Sequence, residues 1–235
     1  SLRGGLVAIG NFDGVHRGHQ VVFAALTEKA HRLGVPALVL TFEPHPRDVF
    51  AAHPFLFRLT LGDAKARLAE ALGLDGIVLQ HFDRPFADME PERFIADLLT
   101  DALGVRGVIV GEDFRFGRQR LGTPQMLIRE GARQGFEVEV VKLAGDEGDE
   151  AYSSNSIRYA LHTGALEQAN HLLGYRWFIE GEVVHGDAMG RELGFPTANI
   201  EVAPTFDLAQ GVYAVRALAG GRLLQGPAGY GRPPF

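Results

Sequence analysis

The sequence predicts an α/β fold: a parallel sheet with helices on both faces, followed by an incomplete small antiparallel β-barrel domain. Three observations point to it. Apolar runs alternate with helix-patterned segments through the first two-thirds of the chain, the signature of strand–helix–strand crossover units. After Gly174 the periodicity switches to alternation and Gly and Pro become dense, which suits antiparallel strands. The length of 235 residues suffices for one large domain or two small ones.

The elements follow in order. Leu6-Val7-Ala8-Ile9 reads as a short buried strand opening a run over 6–12. A helix over 21–33 comes next, with its entrance from Gly18 onward. Further strands are expected over 37–42, 76–81, 105–110 and 136–143, with helices over 63–72, 91–103 and 124–134 between them. Gly145-Asp146-Glu147-Gly148-Asp149-Glu150 is acidic and Gly-containing and reads as a solvated loop. Two short helices over 157–161 and 166–173 are separated by Gly164. Strand alternation then appears over 177–185 and 212–218. The domains are therefore set at 1–174 and 175–235, the second being marginal for an independent core.

Composition narrows the function. The hydrophobic share of 46% and charged share of 22% are those of a soluble globular protein. A net charge of -6 argues against a general nucleic-acid binder, since phosphate-backbone affinity needs clustered Lys and Arg. Without cysteine there is no disulfide, thiolate nucleophile or Cys-based zinc site. No apolar run is long enough to span a bilayer, and no signal-peptide pattern stands at the start, so a cytoplasmic protein with no membrane partner is expected. The first residue is Ser1 rather than Met, which suggests that a few residues precede it. Nothing in the sequence sets an oligomeric state.

The most informative stretch is Gly10 to Gln20, GNFDGVHRGHQ. His16 and His19, three apart at a helix entrance, lie on one face. The same helix end offers backbone N–H groups to an anion, while Gly10, Gly14 and Gly18 permit a tight turn and close approach of a ligand. Donors converging on a strand-to-helix turn suit a nucleotide triphosphate. A zinc site is the rival reading, but spacing places no third ligand. Asn11 and Asp13 read either as turn formers or as ligand-facing polar groups. Thr41-Phe42-Glu43-Pro44-His45-Pro46 forms a rigid strand exit. Gly111-Glu112-Asp113-Phe114-Arg115-Phe116-Gly117 offers carboxylates for Mg²⁺ and aromatics for a planar ring, or else a salt-bridged loop with two core phenylalanines. Ser153-Ser154-Asn155-Ser156-Ile157-Arg158 enters a helix as an N-cap cluster, or as a second phosphate clamp headed by Arg158. The clusters at 10–13, 42–46 and 111–114 each follow a predicted strand, and so converge on the carboxyl rim of the sheet where such folds bind ligands. The P-loop, Gly-x-Gly-x-x-Gly and Gly-x-Ser-x-Gly signatures are absent.

These residues resemble a known family. Gly10 to Gln20, Thr41 to Pro46, Arg58-Leu59-Thr60, Lys65, Val110 to Gly117 with Arg120 and Gly122, and Ser153 to Arg158 look like the adenylyltransferase module of bacterial bifunctional riboflavin kinase/FMN adenylyltransferases, with its nucleotidyltransferase-type sheet. Gly181 to Asp187, Gly190 to Ile200 with its Pro-Thr-Ala-Asn, and Gly211-Val212-Tyr213 look like the opening of the riboflavin kinase module. The resemblance implies that His16 and His19 contact ATP phosphates, with Gly10, Asn11, Phe12, Gly18 and Ser154 also binding ATP. It implies that Arg158 closes over the triphosphate, that Asp113 sits near Mg²⁺, and that Thr197 and Asn199 are Mg²⁺-ATP ligands of the kinase. Phe114 or Phe116 would border the flavin. Three departures stand out. Asn155 replaces the family's usual Thr. The stretch from Gly226 to Phe235 only loosely follows the family's Asn-Ile-Gly motif. The family's kinase catalytic Glu lies further downstream, so kinase activity is expected only if the full protein continues. The implied reaction is ATP plus FMN giving FAD and pyrophosphate, with riboflavin as substrate of the second module. Another small-molecule nucleotidyltransferase, or a non-enzymatic flavin or nucleotide binder, are the competing readings.

Overall fold

The structure is a computed structural model that describes residues 3–142, 152–185 and 197–231. The acidic stretch over 145–150, residues 186–196 of the kinase-like motifs and residues 232–235 lie outside the described residues. The chain divides into two compact units, residues 1–154 and 155–235.

The first unit contains β1 (Leu6–Ile9), α1 (Arg17–Leu33), β2 (Ala37–Glu43), α2 (Pro46–Val49), α3 (Gly62–Ala71), β3 (Gly76–His81), α4 (Arg84–Ala87), α5 (Pro91–Arg93), a π-helical stretch (Phe94–Ala102), β4 (Gly107–Gly111), a 3₁₀ turn (Arg118–Arg120), α6 (Pro124–Gln134) and β5 (Glu137–Val141). Its five strands form one parallel sheet in the order β3-β2-β1-β4-β5. Alternate residues of the central strands feed two separate cores. Val7, Ile9, Leu38 and Leu40 join Phe94, Ile95, Leu99 and Leu127 on one face. Leu6, Ala8, Ala37 and Val39 join Val22, Phe23, Leu26 and Ala30 of α1 on the other. Burial on both faces explains why these strands are continuous apolar runs instead of alternating ones.

Local signals end several helices where expected. α6 has Thr123 at its N-cap, whose hydroxyl accepts from the Met126 N–H at 3.2 Å, Pro124 in the first turn, and Gly135 beyond its end at φ 86°. The helix expected over 91–103 is a three-residue α-turn that passes into the π-helical stretch. Phe94 and Leu99, five apart, both reach the core, a spacing that i→i+5 hydrogen bonding accommodates.

Gly117 shows how tightly the unit closes. It sits at φ +69°, and a Cβ there would lie 2.7 Å from Pro91 Cγ and 2.8 Å from its N and Cα. Gly117→Ala should therefore destabilise the unit by about 2–4 kcal/mol, from left-handed strain plus overpacking against backbone. Urea denaturation with an unchanged m-value checks this.

The second unit holds α7 (Ser154–His162, whose first residue belongs to the first unit), α8 (Leu166–Leu173), β6 (Val183–Val184), β7 (Asn199–Ile200), β8 (Gly211–Ala219) and β9 (Arg222–Tyr230). β6 pairs antiparallel with β7, and β8 with β9. The strand expected over 177–185 is thus corrected to the two residues of β6. The Trp177 N–H donates to Asn170 Oδ1 at 2.7 Å and its ring stacks on Phe206, so the start of that segment packs against helix and loop instead of extending a ladder.

Among the described residues no helix is long and apolar enough to cross a membrane.

Candidate active site

β1 is the middle strand, flanked by β2 and β4. The chain passes to one neighbour through α1 and later returns to the other, and this reversal opens a crevice beyond the carboxyl ends of the strands. The loop from Gly10 to His16 leaves β1 at that point.

The loop is strained and heavily tied down. Phe12 and Val15 have φ values of 47° and 41°, a region that a β-branched residue rarely enters. Such strain costs about 1–3 kcal/mol per residue and persists only where the surroundings over-determine it. Here Phe12 and Val15 are both buried in the α1-side core. Asp13, 2% exposed, accepts from the N–H groups of Leu59 and Thr60 at 3.0 and 3.1 Å, and Arg58 Nε lies 3.9 Å from it. The Gly14 N–H donates to Thr60 Oγ1 at 3.0 Å, and Gln20 Nε2 to the Val15 carbonyl at 2.9 Å. Arg58 in turn meets Glu43 with two parallel hydrogen bonds of 2.9 Å. Asp13 is therefore a buried clasp between the loop and the 58–60 segment.

The clasped loop delivers the two imidazoles. His16 is the N-cap residue of α1 and His19 lies in its first turn, and their rings stack at 3.6 Å with 21° between planes. The Phe12 ring stands edge-on to His19 at 5.1 Å. His16 makes no side-chain cap bond to α1, and the helix start beside it has the polarity that attracts an anion. Gly18 makes the close approach possible, since a Cβ there would lie 3.2 Å from the His16 ring and 3.3 Å from Tyr152 Cβ. Burial, then the neighbouring His16, then Lys65, holds the His19 pKa well below the ordinary histidine value, so the ring is neutral at pH 7. Its Nδ1 is buried with no hydrogen-bond partner among the described residues.

Beneath the loop, Lys65 of α3 is 1% exposed and donates to the Asn11 carbonyl at 2.8 Å and to Thr41 Oγ1 at 3.1 Å. Thr41 also donates to the Asn11 carbonyl at 3.0 Å. Burial, and next the Arg58 charge, lowers the Lys65 pKa to about 8. Between about pH 8 and the unfolded lysine value near 10.4, the unfolded chain binds the extra proton. Stability should therefore rise with pH across that window, by up to about 1.4 kcal/mol per unit, and Lys65→Met should abolish the rise. Denaturation midpoints at pH 8 and 10 check the sign.

The other expected residues fall as follows. Gly10 donates its N–H to the Leu40 carbonyl at 3.1 Å, and a Cβ there would strike the Phe12 ring at 2.9 Å. The Asn11 side chain is exposed at the rim, whereas Phe12 is core and can offer a ligand only its backbone. Ser154 Oγ donates to the Asp13 carbonyl at 2.8 Å, which brings the head of the Ser153–Arg158 motif to the β1 loop. Asp113 is exposed beyond β4. Phe116 is 6% exposed and lies against Phe94 and Phe114, so only Phe114, half-buried, keeps surface for a planar ligand. In the second unit, Arg158 Nη1 donates to Asn155 Oδ1 at 3.1 Å, and Thr197 and Asn199 are exposed, Asn199 opening β7. Asp13 and Lys65 carry more of the site's geometry than the sequence reading assigned them. Their partners lie 46 and 54 residues away, and no local signal announces them.

Among the described residues no group of three or more His, Asp or Glu could hold a metal ion. Mg²⁺ commonly takes one or two protein carboxylates and fills its remaining positions with substrate phosphates and water. A single exposed carboxylate such as Asp113 fits that mode.

Comparison with known proteins gives a consistent picture. The family model for FAD synthetase matches residues 1–155 and that for riboflavin kinase matches residues 173–235. The bifunctional riboflavin kinase/FMN adenylyltransferase of Escherichia coli K12 is 40% identical over 98% of this chain and 74% of its own length. The same-named proteins of Pseudomonas fluorescens and Listeria monocytogenes are each 38% identical, over 99% and 96% of this chain and 74% and 72% of theirs. A solved structure titled macrolide-efflux protein from Streptococcus pneumoniae shares the fold with a TM-score of 0.86 at 29% identity, over 98% of this chain and 75% of that one.

Proposed function

Because the chain belongs to the bifunctional riboflavin kinase/FMN adenylyltransferase family, we propose that it transfers the AMP moiety of ATP to FMN, giving FAD and pyrophosphate. Residues 1–174 are the adenylyl-transferring part, and residues 175–235 belong to the module that phosphorylates riboflavin to FMN. With ATP and FMN as substrates, the reaction is assigned to the cytoplasm. The observation that carries the reading is the stacked imidazole pair at the start of α1, beside the central strand.

The chemistry asks little of a base. The terminal phosphate oxygen of FMN is ionised at about pH 7. It attacks the α-phosphorus of ATP in line as the bond to the bridging oxygen of the leaving pyrophosphate breaks. Catalysis is then placement and neutralisation of developing charge. The first-turn N–H groups of α1 and ring N–H donors of His16 and His19 meet the triphosphate oxygens. His19, held neutral, donates one ring hydrogen without bringing a charge that would need a buried counter-ion. Gly10 and Gly18 let the phosphates approach the backbone, and Ser154 braces the loop. Arg158 is assigned to ATP phosphate on the Ser153–Arg158 motif alone. Asp113 would hold Mg²⁺ here, and Thr197 and Asn199 in the kinase module; such an ion, when bound, screens phosphate charge. Phe114 is the aromatic assigned to the flavin.

The test is direct. The protein incubated with ATP, Mg²⁺ and FMN should produce FAD and pyrophosphate, resolved by chromatography. No FAD, but adenylylation of nicotinamide mononucleotide or phosphopantetheine, would overturn the choice of substrate. Binding of ATP and FMN without turnover would overturn the activity.

A further inference from the structure

Lys65 is a costly residue for its position. An ammonium buried to 1% exposure loses its hydration, and among the described residues no carboxylate lies within ion-pair distance of it. Its contacts are neutral oxygens, the Asn11 carbonyl and the Thr41 hydroxyl. If packing were all the site required, an apolar side chain would fill it at less cost. What the ammonium achieves is a junction: α3, β2 and the first turn after β1 meet at one atom. The Asn11 carbonyl, drawn inward by two donors, sets the direction in which the chain leaves β1 for the strained turn and for α1.

Resting on the adenylyl-transfer reading, we propose that Lys65 is a positioning residue for that reaction. Its ammonium anchors the Asn11 carbonyl and the Thr41 hydroxyl beneath the β1–α1 loop and so fixes the backbone on which His16 and His19 stand. The charged groups around it are Arg58, Asp13 and Glu43, with the titratable His19 in the first turn of α1. Its positive charge also presses on His19 and helps keep that imidazole neutral.

Two variants of the full chain test this, each first checked for a cooperative unfolding transition. Lys65→Met should lower kcat for FAD formation about 100-fold, the scale of a small misplacement of reacting groups, with KM for ATP and FMN changed less than about threefold. Thr41→Val keeps the ammonium but removes one anchor, and should show the same split at about tenfold. If Lys65→Met does not fold, Thr41→Val decides alone. Imidazole NMR of the ATP-free protein supplies a readout independent of turnover: in Lys65→Met the His19 titration should move up toward the ordinary histidine value and the His16 and His19 ring resonances should shift. A folded Lys65→Met with wild-type kcat and unmoved His16 and His19 signals overturns the proposal, as does a loss expressed wholly in KM. If the wild-type protein forms no FAD, the adenylyl-transfer reading fails and the imidazole signals alone decide on Lys65.

Discussion

His16→Ala should form FAD about 100–1,000-fold more slowly than the wild-type chain while unfolding within about 2 kcal/mol of it. On the proposed mechanism the rate loss follows from removing one donor aimed at charge that develops on the leaving pyrophosphate, an effect of this size where donors are pre-organised. The stability loss stays modest for structural reasons. The ring makes no side-chain cap bond to α1, so no helix cap disappears with it. The loss includes the 3.6 Å stack on His19, worth about 0.5–1.5 kcal/mol, and packing at a 4% exposed site. The His19 ring would also regain solvent, and its pKa should rise as burial and the neighbouring imidazole are both relieved. Steady-state assays with chromatographic detection of FAD, paired with urea denaturation, measure both quantities. Wild-type turnover by a folded His16→Ala protein would remove the imidazole pair from the mechanism.

Asp13→Ala should have the largest effect on stability, about 3–5 kcal/mol. The carboxylate satisfies two buried backbone N–H groups, at Leu59 and Thr60, and lies beside the Arg58 guanidinium. Removing it strands both donors, at about 1–3 kcal/mol each, and leaves Arg58 with Glu43 as its remaining carboxylate partner. Asp13→Asn keeps one oxygen acceptor and should lose about half as much. A shift in the denaturation midpoint at constant m is the signature sought. Activity should fall with it, because the same clasp holds the left-handed turn at Phe12 and Val15 that aims α1. If Asp13→Ala unfolds within about 0.5 kcal/mol of wild type, the clasp does not hold the loop.

Much of the architecture was legible because its causes are local. The bounds 76–81, 124–134 and 166–173 are those of β3, α6 and α8, and glycines in the left-handed conformation, Gly135 and Gly174, end the two helices. The parallel arrangement followed from apolar runs alternating with amphipathic ones. The short helices α2 and α4 and the strand β9 went unread. α2 and α4 are single turns begun by His45 and Asp83, and β9 carries Gly226, Pro227 and Gly229, which disguise its pattern. The site was half legible. Glycine spacing and the His16–His19 interval announced a tight strand-to-helix turn carrying two imidazoles. Lys65 entered only through the resemblance and Asp13 only with two alternatives, and their work inside the turn stayed illegible because their partners lie tens of residues away.

By itself, then, the sequence determined the order along the chain of the five strands of the parallel sheet, the turn that carries two imidazoles, and through its motifs the family. These rest on periodicity, turn chemistry and spacing, which act over a few residues. Only the tertiary structure decided which polar groups are buried and which of them hold the loop. It made Asp13 a clasp, Lys65 an anchor and Phe116 a core residue, it buried His16 against His19, and it left Phe114 half-buried. The physical reason is that burial and hydrogen-bond partnership are set by segments tens of residues apart meeting in space. Those meetings, not the identity of a side chain, determine whether a charge is desolvated, paired or free to act.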